Sequence, residues 1–268
     1  MNESLATNKI WHTLSMDSIN PDWSYQTLVY NAQWKTSRVF GIEVETESIH
    51  GTFIGKVSNF SKDEDGSLRH IGLEFKTMSP VPASVLKEET ATLLTRLKEQ
   101  QFFFSHRSSI HIHANMLDKT LKDITEIIKC YIFLEPLCVK FIGRARQKSN
   151  FCIPLYSFLH QINLNPSRWP TLTGVPSGIH YLQQIFQKYG ALSAFRLNDL
   201  GTLEWRAMEG TFNIEKIVKW IDLINYIVVS HTGCEDYQEL NTQAQYILGI
   251  SYTPVQLDEQ IITMEGLS

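Results

Sequence analysis

The stretch Phe40-Gly41-Ile42-Glu43-Val44-Glu45-Thr46-Glu47 alternates apolar and acidic residues. With a period of two it predicts a strand that sends Ile42 and Val44 to one face and Glu43, Glu45 and Glu47 to the other. Carboxylates at alternate positions of a strand lie about 7 Å apart and repel one another. Such a face must be open to water, matched by basic groups or neutralised by cations. A half-exposed strand with solvated glutamates satisfies the pattern as well as a metal or nucleotide site does.

Three later stretches repeat the pattern and bear on that choice. His70 to Lys76 places Ile71, Leu73 and Phe75 on one side and Glu74 on the other. Arg107 to Asn115 turns Ile110 and Ile112 to the core, and Ser109, His111 and His113 to the acids. Ala191–Leu197 and Gly201–Ala207 read as a hairpin around Asn198-Asp199, whose second strand buries Leu203 and Trp205 and presents Glu204 and Arg206. Helices should cover the shared apolar face. Pro80 to Gln101 carries a stripe of Val85, Leu86, Leu93, Leu94 and Leu97. Asp118 is placed to cap a helix that runs through Glu135-Pro136 to about Phe141. Asn213 to Val229 is strongly amphipathic, and a short helix over Tyr237–Leu248 follows. His180 to Tyr189 is a further short helix.

The remaining stretches are less regular. His50 to Phe60 reads either as a second strand or as a substrate loop, and Lys62 to Ser67 as a turn with positive φ at Gly66. Asn163 to Gly178, with Pro166, Pro170 and Pro176, reads as a long loop that covers substrate. Residues 1 to about 36 carry Trp11, Trp23 and Trp34, which predicts a segment packed on the body. Gly143-Arg144-Ala145-Arg146-Gln147-Lys148 is the one concentrated basic run. It fits a solvated helix end as well as a phosphate or carboxylate clamp.

A chain of 268 residues that is 43% hydrophobic is expected to form one domain, with a tail over 254–268. Its net charge of −4 argues against duplex nucleic acid as a partner. No apolar run approaches the ~20 residues of a membrane span. Cys130, Cys138, Cys152 and Cys234 lack C-x-x-C spacing, and no stretch reads as a signal peptide, so a reduced, cytoplasmic protein is expected.

The polar face thus predicted gathers Glu43, Glu45, Glu74, His111, His113, Glu204 and Arg206 in a concave site. Crowded carboxylates call for Mg²⁺ or Mn²⁺, the imidazoles tilting the choice toward Mn²⁺. Arg206 and the Arg144/Arg146 pair would then meet negative charge on a transferred phosphoryl group.

Taken in order, Gly41-Ile42-Glu43-Val44-Glu45, Asp65-Gly66-Ser67-Leu68-Arg69, Gly72-Leu73-Glu74-Phe75, Ser108 to Asn115, Arg144 to Leu155 and Gly201 to Arg206 carry a resemblance. The chain resembles the phage-encoded amidoligases, a branch of the carboxylate–amine ligases that share the fold of glutamine synthetase and glutamate–cysteine ligase. The likeness runs from about Phe40 to Ile227. It implies an α+β fold of the glutamine synthetase type, a curved and mainly antiparallel sheet with helices on one face and the polar concave site on the other. It also implies ATP-dependent amide formation through an acyl phosphate, from a small-molecule or peptide carboxylate and an amine, in the host cytoplasm if the chain is phage-encoded. Under the resemblance Glu43, Glu45, Glu74, His113 and Glu204 are metal ligands, His111, His113 and Arg206 nucleotide contacts, and Arg144, Arg146 and Arg206 catalytic. Thr202 departs from glutamine synthetase, where an arginine stands, and Phe60 stands where a tryptophan is expected before the Asp65 turn. Two other classes remain open: a metal–ATP phosphotransferase of the guanidino-kinase kind, and a non-catalytic phage accessory protein.

Overall fold

The computed structural model describes residues 38–143, 146, 149–150, 152–155, 175–230 and 237–252. In chain order the elements are β1 (Phe40–Ser48), β2 (Phe60–Glu64), β3 (Ile71–Thr77), α1 (Ala83–Glu99), β4 (Ser109–Asn115) and α2 (Leu121–Ile142). Then come α3 (Val175–Ile185), β5 (Leu192–Ser193), a 3₁₀ turn over Phe195–Leu197, β6 (Thr202–Glu209), α4 (Ile214–Ser230) and α5 (Tyr237–Leu248). The tryptophan-bearing N-terminal segment, Arg144, Cys234, the 254–268 tail and most of the proline-rich stretch lie outside the described residues.

The strands form one mixed α/β arrangement, a six-stranded sheet in the order β2-β3-β1-β4-β6-β5 with every neighbouring pair of strands antiparallel. Antiparallel pairing brings side chains directly opposite one another to the same face, so the period-two pattern of each strand sums into two chemically different sheet faces. On one face Ile42, Val44, Leu73, Phe75, Ile110, Ile112, Leu203 and Trp205 are buried. Helix α1 packs on β1, α4 on β4 and on α1, α2 on β6, and α5 against α2 and α4. Each large aliphatic side chain buried there contributes about 1.5–3 kcal/mol. Among the described residues no helix is long and apolar enough to cross a membrane.

Several local expectations are corrected. The stripe of α1 is Leu86, Thr90, Leu93, Leu94 and Leu97, while Val85 is exposed. Residues Lys62–Glu64 belong to β2, and the turn begins at Asp65, whose carboxylate Oδ1 accepts the Ser67 N–H at 2.8 Å. Gly66 is absent from the positive-φ residues, because that side-chain hydrogen bond makes the turn instead. Within the stretch expected to be loop as far as Gly178, the described residues from Val175 onward are helical. The hairpin before β6 has a first strand of two residues, since the chain leaves the ladder after Ser193 to make the 3₁₀ turn. Thr120, not Asp118, caps α2: its hydroxyl accepts the Asp123 N–H at 3.1 Å and the Asp123 carboxylate accepts the Thr120 N–H at 2.8 Å.

That reciprocal cap satisfies two of the four N–H groups that a helix start leaves open. Thr120→Ala is expected to lower unfolding free energy by about 1 kcal/mol in urea titration, and Thr120→Ser by much less.

Candidate functional site

The opposite face of the sheet is built by cross-strand register. On β1, Glu43 lies between Lys76 of β3 and His111 of β4, and Glu45 lies directly opposite Glu74. His113 is opposite Glu204 of β6, which in turn faces Ser193 of β5. The sheet therefore brings together all seven residues expected on its polar face. They line a cleft of about 230 Å³, except His113, which sits beneath it.

The two histidines have different surroundings. His111 is buried, with Nδ1 at 3.1 Å from Glu43 Oε2 and Nε2 at 2.7 Å from the Ser109 hydroxyl, which donates to Glu45. Both of its nitrogens are occupied. His113, also buried, sets Nδ1 at 3.1 Å from the Thr202 hydroxyl. Its Nε2 points at Glu43 Oε1 at 3.2 Å and Glu204 Oε1 at 3.9 Å yet makes no hydrogen bond. A buried ring nitrogen with no hydrogen bond, facing two carboxylates while its other nitrogen is held by a hydroxyl, has the arrangement of a metal-ligating imidazole with its orienting partner. The donor atoms of Glu43, His113 and Glu204 all lie within 4.8 Å of one another, as do those of Glu43, Glu74 and His111 and those of Glu45, Asp65 and Glu74. Glu43 and Glu74 are each shared between two such groups. This oxygen-rich set, with an imidazole in each of two groups, fits Mg²⁺ or Mn²⁺.

Asp65 was not anticipated as a ligand. Its motif was legible, but as a turn; only the β2–β3 connection carries its carboxylate over the sheet. Thr202 is the partner of His113. Glu47, on the same strand face, is no solvated carboxylate: it is fully buried, accepting the His70 N–H at 3.2 Å and the Ser105 hydroxyl.

Two arginines close the other side. Arg206 donates from Nη1 to Glu204, and Arg146 donates from Nη2 to the Arg206 carbonyl at 2.9 Å. Both are buried, and the Nε of each has no hydrogen-bond partner. Arg146 is thus a wall of the cleft, not a solvated helix end. A bulge aims Arg206: Ile110 faces Met208 and Ile112 faces Trp205, so Arg206 and Ala207 together lie opposite His111.

The electrostatics follow from this crowding. Burial raises the Glu43 carboxyl, but His113 and His111 beside it outweigh burial and hold it well below the usual carboxylate range. Burial disfavours the His113 imidazolium, yet Glu43 and Glu204 raise it above the ordinary histidine range. Burial together with repulsion from Glu43 and Glu45 pushes Glu74 up to about 8, although the Lys76 ammonium stands 2.5 Å away. Burial lowers Arg146, while for Arg206 the neighbouring Glu204, Glu43 and Glu45 overcome burial and raise it.

The chain matches the family model described as "putative amidoligase enzyme" over residues 62–228, more than half of its length. No curated protein matches it.

Between its usual 4.5 and about 8, Glu74 keeps a proton in the native chain that the unfolded chain has lost. The unfolded state binds fewer protons there, so stability falls as pH rises across that window. His113 acts in the same sense, since stability from its raised value is lost as pH climbs through the folded pKa. In chelator, the melting temperature is therefore expected to drop from about pH 5 to about pH 8, Glu74 contributing up to about 1.4 kcal/mol per pH unit. Glu74→Gln should flatten that slope, and a melting temperature that rises over the window would contradict the assignment.

Proposed function

The chain belongs to the amidoligase family, and from that membership we propose that it is an ATP-dependent carboxylate–amine ligase with a glutamine synthetase-like sheet, using Mg²⁺ or Mn²⁺. The observation that carries this reading is the His113 Nε2 facing Glu43 and Glu204 without a hydrogen bond, beside two buried guanidinium groups. A site of acids and arginines in one cleft suits chemistry in which metal-bound phosphates move next to a carboxylate.

In the proposed reaction an oxygen of the substrate carboxylate attacks the γ-phosphorus of ATP, the bond to the bridging oxygen breaks, and ADP leaves. The amine nitrogen then attacks the carbonyl carbon of the acyl phosphate, loses a proton, and inorganic phosphate departs as the amide forms. Glu43, Glu45, Glu74, Asp65, Glu204 and His113 would hold the divalent ions, which would neutralise the carboxylates and offset charge on the nucleotide phosphates. Arg206 and Arg146 face the charge that spreads over the transferred phosphoryl oxygens, and their burial strengthens that interaction. Arg144 remains a candidate of the same kind from its sequence position alone. With an ion at Nε2, His113 Nδ1 would carry the proton and donate it to the Thr202 hydroxyl 3.1 Å away, which fixes the ring.

Glu204 pairs with Arg206 and Glu43 with both histidines, so neutralising either removes a partner from buried positive charge. Glu45 is the cleaner probe because it opposes Glu74 and its one ion-pair neighbour, His111 Nε2, stands at 3.6 Å, beyond hydrogen-bond reach. Glu45→Gln is expected to leave the metal-free fold at least as stable, while ATP-dependent phosphate release falls by at least about 100-fold. Phosphate release from a screen of acid and amine pairs should require both substrates. Release of ADP with one substrate alone, the phosphate staying on it, would favour a phosphotransferase, and no turnover in any pair an accessory role.

Two binding measurements test the metal site. Mg²⁺ with ATP should raise the melting temperature far more than ATP with chelator, a saturating ligand at a hundredfold excess over its Kd contributing about 2.7 kcal/mol. Thr202→Val should weaken Mn²⁺ binding about 10- to 100-fold by calorimetry, and Thr202→Ser should restore most of it. Unchanged Mn²⁺ affinity in the valine variant would return Thr202 to a packing role.

A further inference from the structure

One lip of the cleft has no part in the chemistry described above. Lys188, Tyr189, Phe195 and Arg196 line it. Tyr189 and Phe195 are large rings that stand 46% exposed. Each carries a cation: Arg196 sits 5.6 Å from the Phe195 ring centroid, and the Lys188 ammonium 6.0 Å from that of Tyr189.

Exposure here does not come from a loose loop. The Phe195 carbonyl accepts the Gln183 side-chain amide at 2.8 Å, and its N–H donates to the Ser193 hydroxyl at 3.2 Å. The Tyr189 carbonyl accepts the Ile153 N–H at 2.8 Å, and the next residue, Gly190, pairs with Ile153. Arg196 is tied to Asp199 at 2.7 Å. The two rings therefore hang from a backbone that hydrogen bonds hold in place. They are also registered to the acidic centre, because Ser193, two residues before Phe195, lies directly opposite Glu204.

Rigid exposed aromatic faces at the mouth of a polar cleft suit a planar ligand, which stacks at little entropic cost. The flanking cations add that this ligand carries negative charge close to its planar part. The carboxylate and arginine groups deeper in the cleft accept metal-bound phosphates. We propose that Tyr189 and Phe195 form the stacking platform for the base of a nucleoside triphosphate, with Lys188 and Arg196 drawing its phosphate chain inward past Glu204. This rests on the ligase reading for the use of a nucleotide, and goes beyond it in assigning the base to this lip.

Stacking uses the π-face that every base presents, and its loss on alanine substitution costs about 1–3 kcal/mol per base, or about 5- to 150-fold in affinity. The experiment is calorimetric titration, with Mn²⁺ present, of ATP and of inorganic tripolyphosphate, which has the phosphates and no base. Wild type, Tyr189→Ala, Phe195→Ala and Phe195→Trp are compared, and a 2-aminopurine riboside triphosphate reports stacking by fluorescence quenching. ATP affinity should fall at least about fivefold in each alanine variant while tripolyphosphate affinity stays constant. Phe195→Trp should retain ATP binding, and quenching should be weakened by the alanine changes. Undiminished ATP affinity in both alanine variants, or an equal loss for both probes, overturns the platform and leaves the ligase reading standing. Failure of wild type to bind either probe overturns both.

Discussion

Repulsion among carboxylates on a central strand is the constraint to which the rest of the site answers. Glu45 and Glu74 stand directly opposite across β1 and β3, an arrangement that costs stability in any antiparallel pair. The chain answers it with charges from the neighbouring strands. Lys76 reaches Glu74, His111 and His113 reach Glu43, and Arg206 reaches Glu204. Neutralisation is incomplete: burial, with repulsion from Glu43 and Glu45, still raises the Glu74 carboxyl. A face left in that state favours a proton on that carboxyl and has the donor set of a divalent-cation site.

The packing on the other side of the sheet makes this strained face tolerable. Ile42, Val44, Ile110, Ile112, Leu203 and Trp205 are buried beneath α1, α2 and α4, and their register cannot slip by one residue without turning the carboxylates into the core. The bulge at Arg206 and Ala207 is the one departure from regular pairing between β4 and β6. It lets Trp205 and Met208 both stay buried while Arg206 remains on the site side. Arg146 reaches the same place by a different route, through the Arg206 carbonyl. The two guanidinium groups are thus positioned by one strand irregularity.

The family match supports ligase chemistry in general, and the donor geometry supports a metal within it. The Thr202 hydroxyl holds His113 at Nδ1, and Nε2 faces Glu43 and Glu204.

The sequence by itself determined β1, β3, β4 and β6 and their faces, because alternation with a period of two is a local property of the chain. Glu43, Glu45, Glu74, His111, His113, Glu204 and Arg206 were readable as one polar face on that ground, and α4 and α5 were readable from their apolar spacing. What it left open was decided by contacts between distant residues. Glu47 shares the alternation of Glu43 and Glu45, yet it is buried because Ser105 and the His70 backbone, far along the chain, close over it. The basic run was ambiguous between helix end and clamp until packing buried Arg146 against Arg206. Asp65 became a candidate ligand only when the β2–β3 turn carried it over the sheet, and Thr202 a partner of His113 only through the pairing of β4 with β6. The aromatic lip was not legible, since Tyr189 falls at the end of a stretch that reads as helix and Phe195 in one that reads as strand, whereas α3 ends at Ile185 and the chain leaves β5 after Ser193 for a 3₁₀ turn. Periodicity reports which face a residue takes; which residues from other strands meet it there is set by register, and register belongs to the folded chain.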